Sequence, residues 1–338
     1  MSIEMNSKRI HAARISSIVL FFVGIGMASA AAGTTLYGGG SNLPAGAYVG
    51  WSWVSSGTRL VPDSAQTPVA TLAPSSLFGT WAGTANAVQY CQTGSGRGKQ
   101  VLIGDTTSSL TPTGLCRVFG TSPSGFQIPT LASSDLPDFV VSDAPLSDTE
   151  YGTFVTNNGA IKGEPIQFPI AVGSVALIYH NSDPALPSQL NLTTAQVCRV
   201  FSGVITNWNQ IDSSFLPKPI TVVYRSDGSG ATFNLMNHLN AVCNAFIPSG
   251  SHFIVDQLFT KGVSGLPLSS LSTTKLAADG DPVVIAAVNV NDGAIGYGGA
   301  ADLLNSGGSN ARYAKVDNFD PVSDVPVTYG GLPRHRRV

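Results

Sequence analysis

The chain has 338 residues, of which 43% are hydrophobic and only 11% charged, with a formal net charge of −2; a typical globular domain carries roughly 25% charged residues. That apolar content with so little net charge excludes a disordered chain, and the lack of a basic excess argues against nucleic acid or anionic membranes as partners. The 37 glycines point to tight turns in which backbone, rather than charged side chains, makes the polar contacts.

The first residues read as a secretory signal. Lys8, Arg9 and Arg14 form a positive start, Ile15 to Met27 is apolar, and Ala28-Ser29-Ala30 is a small-residue cleavage site. The apolar run is shorter than the ~20 residues a spanning helix needs. Removal of residues 1–30 takes away those three basic groups and Glu4, so the net charge moves from −2 to −4. An exported protein, periplasmic or secreted, is expected.

Gly38-Gly-Gly-Ser-Asn-Leu-Pro44 follows a short apolar stretch and can offer consecutive backbone N–H groups to an anion; a plain tight turn is the simpler reading of that segment alone. Residues 55–80, rich in Ser, Thr, Pro and Ala, read as a surface excursion, and residues 105–137 are similar. Gly94-Ser-Gly-Arg-Gly-Lys99 has the look of a nucleotide loop. It fails that pattern because Thr93 stands at the first glycine position and Gln100 at the Ser or Thr position. What remains is a helix start presenting Ser95, or a solvated basic loop.

Phe139-Val140-Val141 is a short strand, and Ser147-Asp-Thr-Glu150 is a capping box that opens a helix. Asp143 stands just past the strand end. Ile166–Ile170 and Val175–Tyr179 read as strands separated by Gly173, and Thr194 as the cap of a helix that buries Val197, Val200 and Phe201. Ile220–Val223 is a β-branched strand, Arg225-Ser-Asp-Gly-Ser-Gly230 a polar turn, and Phe233, Met236 and Leu239 one helix face. Strand, turn and helix in that order aim unpaired N–H groups at an anion, with Ser229 adding a hydroxyl and Arg225 a planar fork suited to a tetrahedral oxyanion. A helix begins at Asp281-Pro282, and a strand covers Ala294–Tyr297. Strands alternating with helices predict an α/β fold with mainly parallel sheets.

A carboxylate at an anion site has a proton-counting purpose. Hydrogen phosphate carries a proton that an ionised Asp143 can accept, whereas sulfate has none and meets repulsion. The histidines at 180, 238, 252 and 335 share no ligand spacing, and no G-x-S-x-G elbow surrounds Ser95 or Ser229. No metal and no cofactor are expected. Four cysteines, Cys91, Cys116, Cys198 and Cys243, allow three pairings, of which neighbour-with-neighbour is the simplest; an oxidising compartment favours disulfides.

Taken in order, Gly38–Pro44, Gly94–Lys99, Ser142–Asp148, Gln167-Phe-Pro169, Val200–Trp208, Val223–Gly230 and Gly293–Tyr297 resemble the phosphate-binding proteins of ABC-type uptake systems, and most closely their DING-protein branch. The resemblance implies a type II periplasmic-binding-protein fold, with phosphate in a cleft between two lobes: 31–168, joined by a return of 312–338, and 169–311. It implies phosphate contacts from Asn42, Leu43, Ser95, Asp143, Arg225, Ser229, Gly230 and Ala231, and a disulfide between Cys198 and Cys243. Asn42 and Ala231 depart from it, standing where the family has hydroxyl-bearing residues. The chain after Tyr297 is short for a full return to the first lobe, so that lobe is expected to expose apolar surface. A monomer that sequesters inorganic phosphate, with an ABC permease as partner, is the implied function. The alternatives are a secreted phosphatase on the same scaffold and a truncated copy that has lost binding.

Overall fold

The computed structural model describes residues 35–41, 43, 44, 47, 48, 76–82, 87–92, 94–104, 137–170, 172–271, 275–306, 308 and 310–324. The signal segment, Asn42, Cys116, most of the loop-rich stretches at 55–80 and 105–137, and residues 325–338 lie outside them.

Two sheets organise the described residues. The first has the order β2-β1-β3 and is parallel throughout: β1 is Thr35–Gly40, β2 is Ala87–Gln92 and β3 is Phe139–Val141. Parallel neighbours need crossovers, and the helix Ser95–Ile103 supplies one between β2 and β3. Glycine is needed along the central strand. A Cβ at Gly38 would stand 2.4 Å from the Phe139 ring, and Gly40 has φ +121°, a backbone state that suits glycine. The Ser95–Ile103 helix ends at Gly104, whose φ of 68° gives the left-handed turn that returns its N–H to Gln100 and Val101. The helix Asp148–Lys162 packs beside it, with Phe154 buried and Asn158 Nδ2 donating to the Leu102 carbonyl at 3.1 Å. Its capping box is the one the sequence spells. Ser147 Oγ accepts from the Glu150 N–H, and the Glu150 carboxylate accepts from the Ser147 N–H at 2.8 Å.

The second sheet has the order β5-β9-β4-β8-β6-β7. Its strands are β4 Val175–His180, β5 Asn191–Leu192, β6 Thr221–Arg225, β7 Lys275–Ala278, β8 Ala294–Gly299 and β9 Arg312–Val316. β4 runs antiparallel to β8 and β9, and the other pairs are parallel. The unbroken apolar run of β4 follows from burial on both faces. Leu177 and Tyr179 face a core with Phe201, Trp208, Met236 and Phe259, while Ala176 and Ile178 face a second core with Val284, Ile285 and Val288.

On that first face, the helix Thr194–Ser202 buries Val197, Cys198, Val200 and Phe201, and the helix Gly230–Val242 buries Leu235, Met236 and Leu239. Cys198 and Cys243 form a disulfide that staples these two helices across 45 residues of sequence. The Cys91–Cys116 pairing lies outside the described residues.

Three expectations change. Thr193, not Thr194, caps its helix: it is extended, and Gln196 three residues on completes the box, while Thr194 Oγ1 donates to Asp317 Oδ2. Ile166–Ile170 is no strand. It runs without a ladder partner among the described residues, and Ile166 (85%), Phe168 (71%) and Ile170 stay exposed, because an apolar strand pattern makes a strand only where a neighbouring edge is available. Exposed Ile161 and Val172 continue that apolar strip. Finally, residues 312–316, expected to return towards the first lobe, pair with β4 and β5 in the second sheet. Among the described residues, no helix is long and apolar enough to cross a membrane, and no cluster of His, Cys, Asp and Glu could hold a metal ion.

Candidate anion-binding site

Strand ends from both sheets meet at one place. β1 delivers Ser41, which is fully buried; the Ser41 N–H donates to the Val141 carbonyl at 2.8 Å, and the Tyr90 hydroxyl donates to the Ser41 carbonyl at 2.6 Å. β2 leads through Gly94, whose N–H donates to the Gly40 carbonyl at 2.8 Å, to Ser95 at the helix start. β3 leads to Asp143. The Asp143 carboxylate accepts from Ser41 Oγ on one oxygen and from Ser95 Oγ (3.2 Å) on the other, and the Asp143 N–H donates back to Ser95 Oγ at 3.1 Å. Burial pushes the Asp143 carboxyl above the usual carboxylate range. The two serine hydroxyls and the charge of Arg225 pull it back, and Asp281 adds to the rise.

β6 ends in Arg225, which is 2% exposed. Its guanidinium donates from Nε to Asp227 Oδ1 at 2.6 Å, from Nη2 to the other Asp227 oxygen, and from Nη1 to Asp281 Oδ1. Burial opposes that charge, but the two carboxylates outweigh it and hold the guanidinium charged well above its ordinary range. Asp227 in turn is buried, which alone would raise it, yet Arg225 holds it below the usual value. Tyr297 fixes the backbone here, accepting from the Arg225 N–H at 3.2 Å and bonding Thr232 Oγ1 at 2.7 Å. Five N–H groups less three leaves Arg225 two that can still donate.

Ser229 caps the next helix, its Oγ accepting from the Thr232 N–H at 3.3 Å, which leaves its hydroxyl proton available. The first-turn N–H groups of Gly230 and Ala231 have no acceptor among the described residues. Gly230 lies against the first sheet: a Cβ there would stand 2.4 Å from Asp143 Oδ2 and 2.6 Å from Ser95 Oγ. Three further contacts join the sheets. The Gly96 N–H donates to the Gly228 carbonyl at 2.8 Å, Arg97 pairs with Asp279 at 2.9 Å, and Asn234 donates to the Asp143 carbonyl at 3.3 Å. A Cβ at Gly94 would meet Asp227 Oδ2 at 2.6 Å and Arg225 Nη2 at 3.1 Å.

Of the residues named from sequence, Ser95, Asp143 and Gly230 come together at this contact, Ser229 precedes Gly230 as the cap of its helix, and Arg225 adjoins it through Gly94. Leu43 donates its N–H to Ser41 Oγ at 3.2 Å and sets its side chain against Gly173 and Gly299. The Ala231 methyl belongs to the apolar core, so only its backbone faces outward chemistry. Asn42 lies outside the described residues. Ser41, Asp227 and Asp281 were not named. Ser41 is visible as the hydroxyl beside Asn42 and Asp227 as the carboxylate two residues past Arg225, but Asp281 joins Arg225 only through the fold.

The arrangement suits a small oxyanion that carries a proton. Three carboxyl groups face one guanidinium, so net charge does not attract an anion; directed N–H and O–H donors do, while the Asp143 carboxylate accepts a proton.

The chain is similar to several known proteins. A protein named alkaline phosphatase L from Pseudomonas aeruginosa is 28% identical over 244 residues, covering 72% of this chain and 57% of its own length. A phosphate-binding protein PstS from Xylella fastidiosa is 38% identical over 112 residues, 31% of this chain and 28% of that protein. A high affinity periplasmic phosphate-binding protein (PfluDING), solved with phosphate bound, superposes with a TM-score of 0.54 at 27% identity, covering 78% of this chain and 55% of that one. The chain thus spans little more than half the length of even the longer of these matches. The PBP superfamily domain matches residues 60–329, four-fifths of the sequence, and the chain belongs to that family.

Proposed function

We propose that this chain is an exported solute-binding protein that holds hydrogen phosphate between two lobes, 31–168 and 169–316, for delivery to a membrane permease of the ABC type. The observation that carries the reading is the contact of Asp143 and Ser95 with Gly230, which brings a proton-accepting carboxylate to open N–H groups at a helix start. In this reading the backbone of Leu43, Gly230 and Ala231, the hydroxyls of Ser95 and Ser229 and the side chain of Asn42 donate to phosphate oxygens. Arg225 offers its remaining N–H donors and Asp143 takes the ligand proton. Once the ligand proton occupies an Asp143 oxygen, the serine hydroxyl that donated to that oxygen is free to turn to a ligand oxygen instead. Family membership and the phosphate-binding relatives support the ligand class.

Calorimetry with phosphate and with sulfate tests it. Tight phosphate binding with sulfate excluded is the expected result. Equal binding of both, or of neither, removes the proposal.

A second reading, a secreted phosphatase, rests on the name of the Pseudomonas aeruginosa relative and on the Ser95–Asp143 hydrogen bond, since a carboxylate can activate a hydroxyl nucleophile. Turnover of a chromogenic phosphate ester that vanishes in Ser95→Ala would support it; no turnover by the unaltered protein dismisses it.

A further inference from the structure

Lys99 is 4% exposed, and the binding reading gives it nothing to do. Its ammonium donates to the Pro145 carbonyl at 3.0 Å and to Glu150 Oε2 at 2.7 Å. Pro145 is two residues past Asp143. Glu150 is the capping-box residue whose carboxylate already holds the Ser147 N–H. Ser95 and Lys99 are four apart on one helix, so they share a face, and that face grips the Asp143–Asp148 turn at two points: Ser95 at Asp143 itself and Lys99 further along. Burying an ammonium for packing alone is poor economy, since an apolar side chain of that size packs without the desolvation cost.

We propose that Lys99 is a positioning residue for Asp143: clamped between the Pro145 carbonyl and Glu150, it fixes the turn that holds the Asp143 carboxyl against Gly230, and thereby sets the preference for protonated over unprotonated tetrahedral oxyanions. The inference rests on the phosphate reading above. Lys99 touches no ligand-facing atom, so its removal loosens one acceptor and leaves the donors on Ser229, Gly230 and Ala231 in place. Selectivity should fall while general oxyanion affinity holds. The charged and titratable groups that bear on Asp143 are Arg225 at the end of β6, Asp281 at the start of the helix Asp281–Val290, Tyr90 in β2 and Tyr48 between β1 and β2; Glu150 faces Lys99.

The test uses the full chain with Lys99→Met, Lys99→Arg and Glu150→Gln. Calorimetry with inorganic phosphate and with sulfate, between about pH 5 and pH 8, is read beside a carbon-13 titration of the Asp143 carboxyl, assigned against Asp143→Asn. In Lys99→Met the phosphate-to-sulfate preference should fall about tenfold. The Asp143 midpoint should move down towards that of a solvated aspartate, and Lys99→Arg should restore most of both. Equal weakening for phosphate and sulfate with an unmoved carboxyl midpoint, or no change at all, overturns the proposal. Should Lys99→Met fail to fold, Glu150→Gln opens the same clamp from its more exposed side and is judged by the same readings. Should the unaltered protein bind no phosphate, the functional reading falls, and the Asp143 titration still decides the role of Lys99.

Discussion

Asp143 and Arg225 stand at strand ends in different sheets, and the protein secures them by opposite means. Asp143 is held by two neutral hydroxyls, and burial raises its proton affinity. Arg225 is locked by two carboxylates into a charge that no accessible pH removes, and Tyr297 holds its backbone. One anchor is therefore tunable by its surroundings and the other is fixed. A site that reads a ligand's proton needs both: a charge that never changes, and an acceptor that can take up a proton.

Breaking the fixed anchor should do the most damage. Arg225→Met leaves Asp227 and Asp281 buried without their partner, a loss of about 3–5 kcal/mol in urea unfolding, together with abolished phosphate binding by calorimetry.

The tunable anchor should behave with the opposite sign. Because the folded-state carboxyl of Asp143 is raised above its unfolded value, its favourable contribution is fully present below the unfolded midpoint of about pH 4 and is lost as pH rises through the folded one. Asp143→Asn should therefore stabilise the protein at neutral pH and leave it unchanged at acid pH. It should also erase the preference for phosphate over sulfate. Urea midpoints across that pH range check the first effect, and a stabilisation that grows in acid would contradict it.

Ser41→Ala sharpens the comparison further. Its hydroxyl lowers the proton affinity of Asp143, so its loss should raise the carboxyl midpoint and weaken phosphate binding by about fivefold, read by carbon-13 titration and calorimetry. The smallest effect belongs to Arg97→Ala. That ion pair with Asp279 joins the sheets but is partly exposed, so about 1 kcal/mol or less is at stake, seen as faster phosphate release in stopped flow.

What the sequence revealed was local. The Ser147–Glu150 box, the strand and helix around Arg225, and the start at Asp281-Pro282 are each written within a few residues and needed no tertiary help. The resemblance led to the Cys198–Cys243 bridge. Ile166–Ile170 misled because its alternation is real, but a strand also needs a neighbour. The cap shifted from Thr194 to Thr193 because two adjacent threonines offer the same chemistry and Gln196 decides between them. Asp281 was legible as a helix start and illegible as a partner of Arg225, 56 residues away. Lys99 resembled part of a failed nucleotide loop; only the fold shows its ammonium buried against Pro145 and Glu150.

The main-chain bond from Gly96 to Gly228 has a kinetic consequence. On the proposed function, with no side chain on either glycine to swing aside, a guest enters or leaves past this contact only when the two backbones part as units, so that residence time would follow that motion rather than the strength of any single donor.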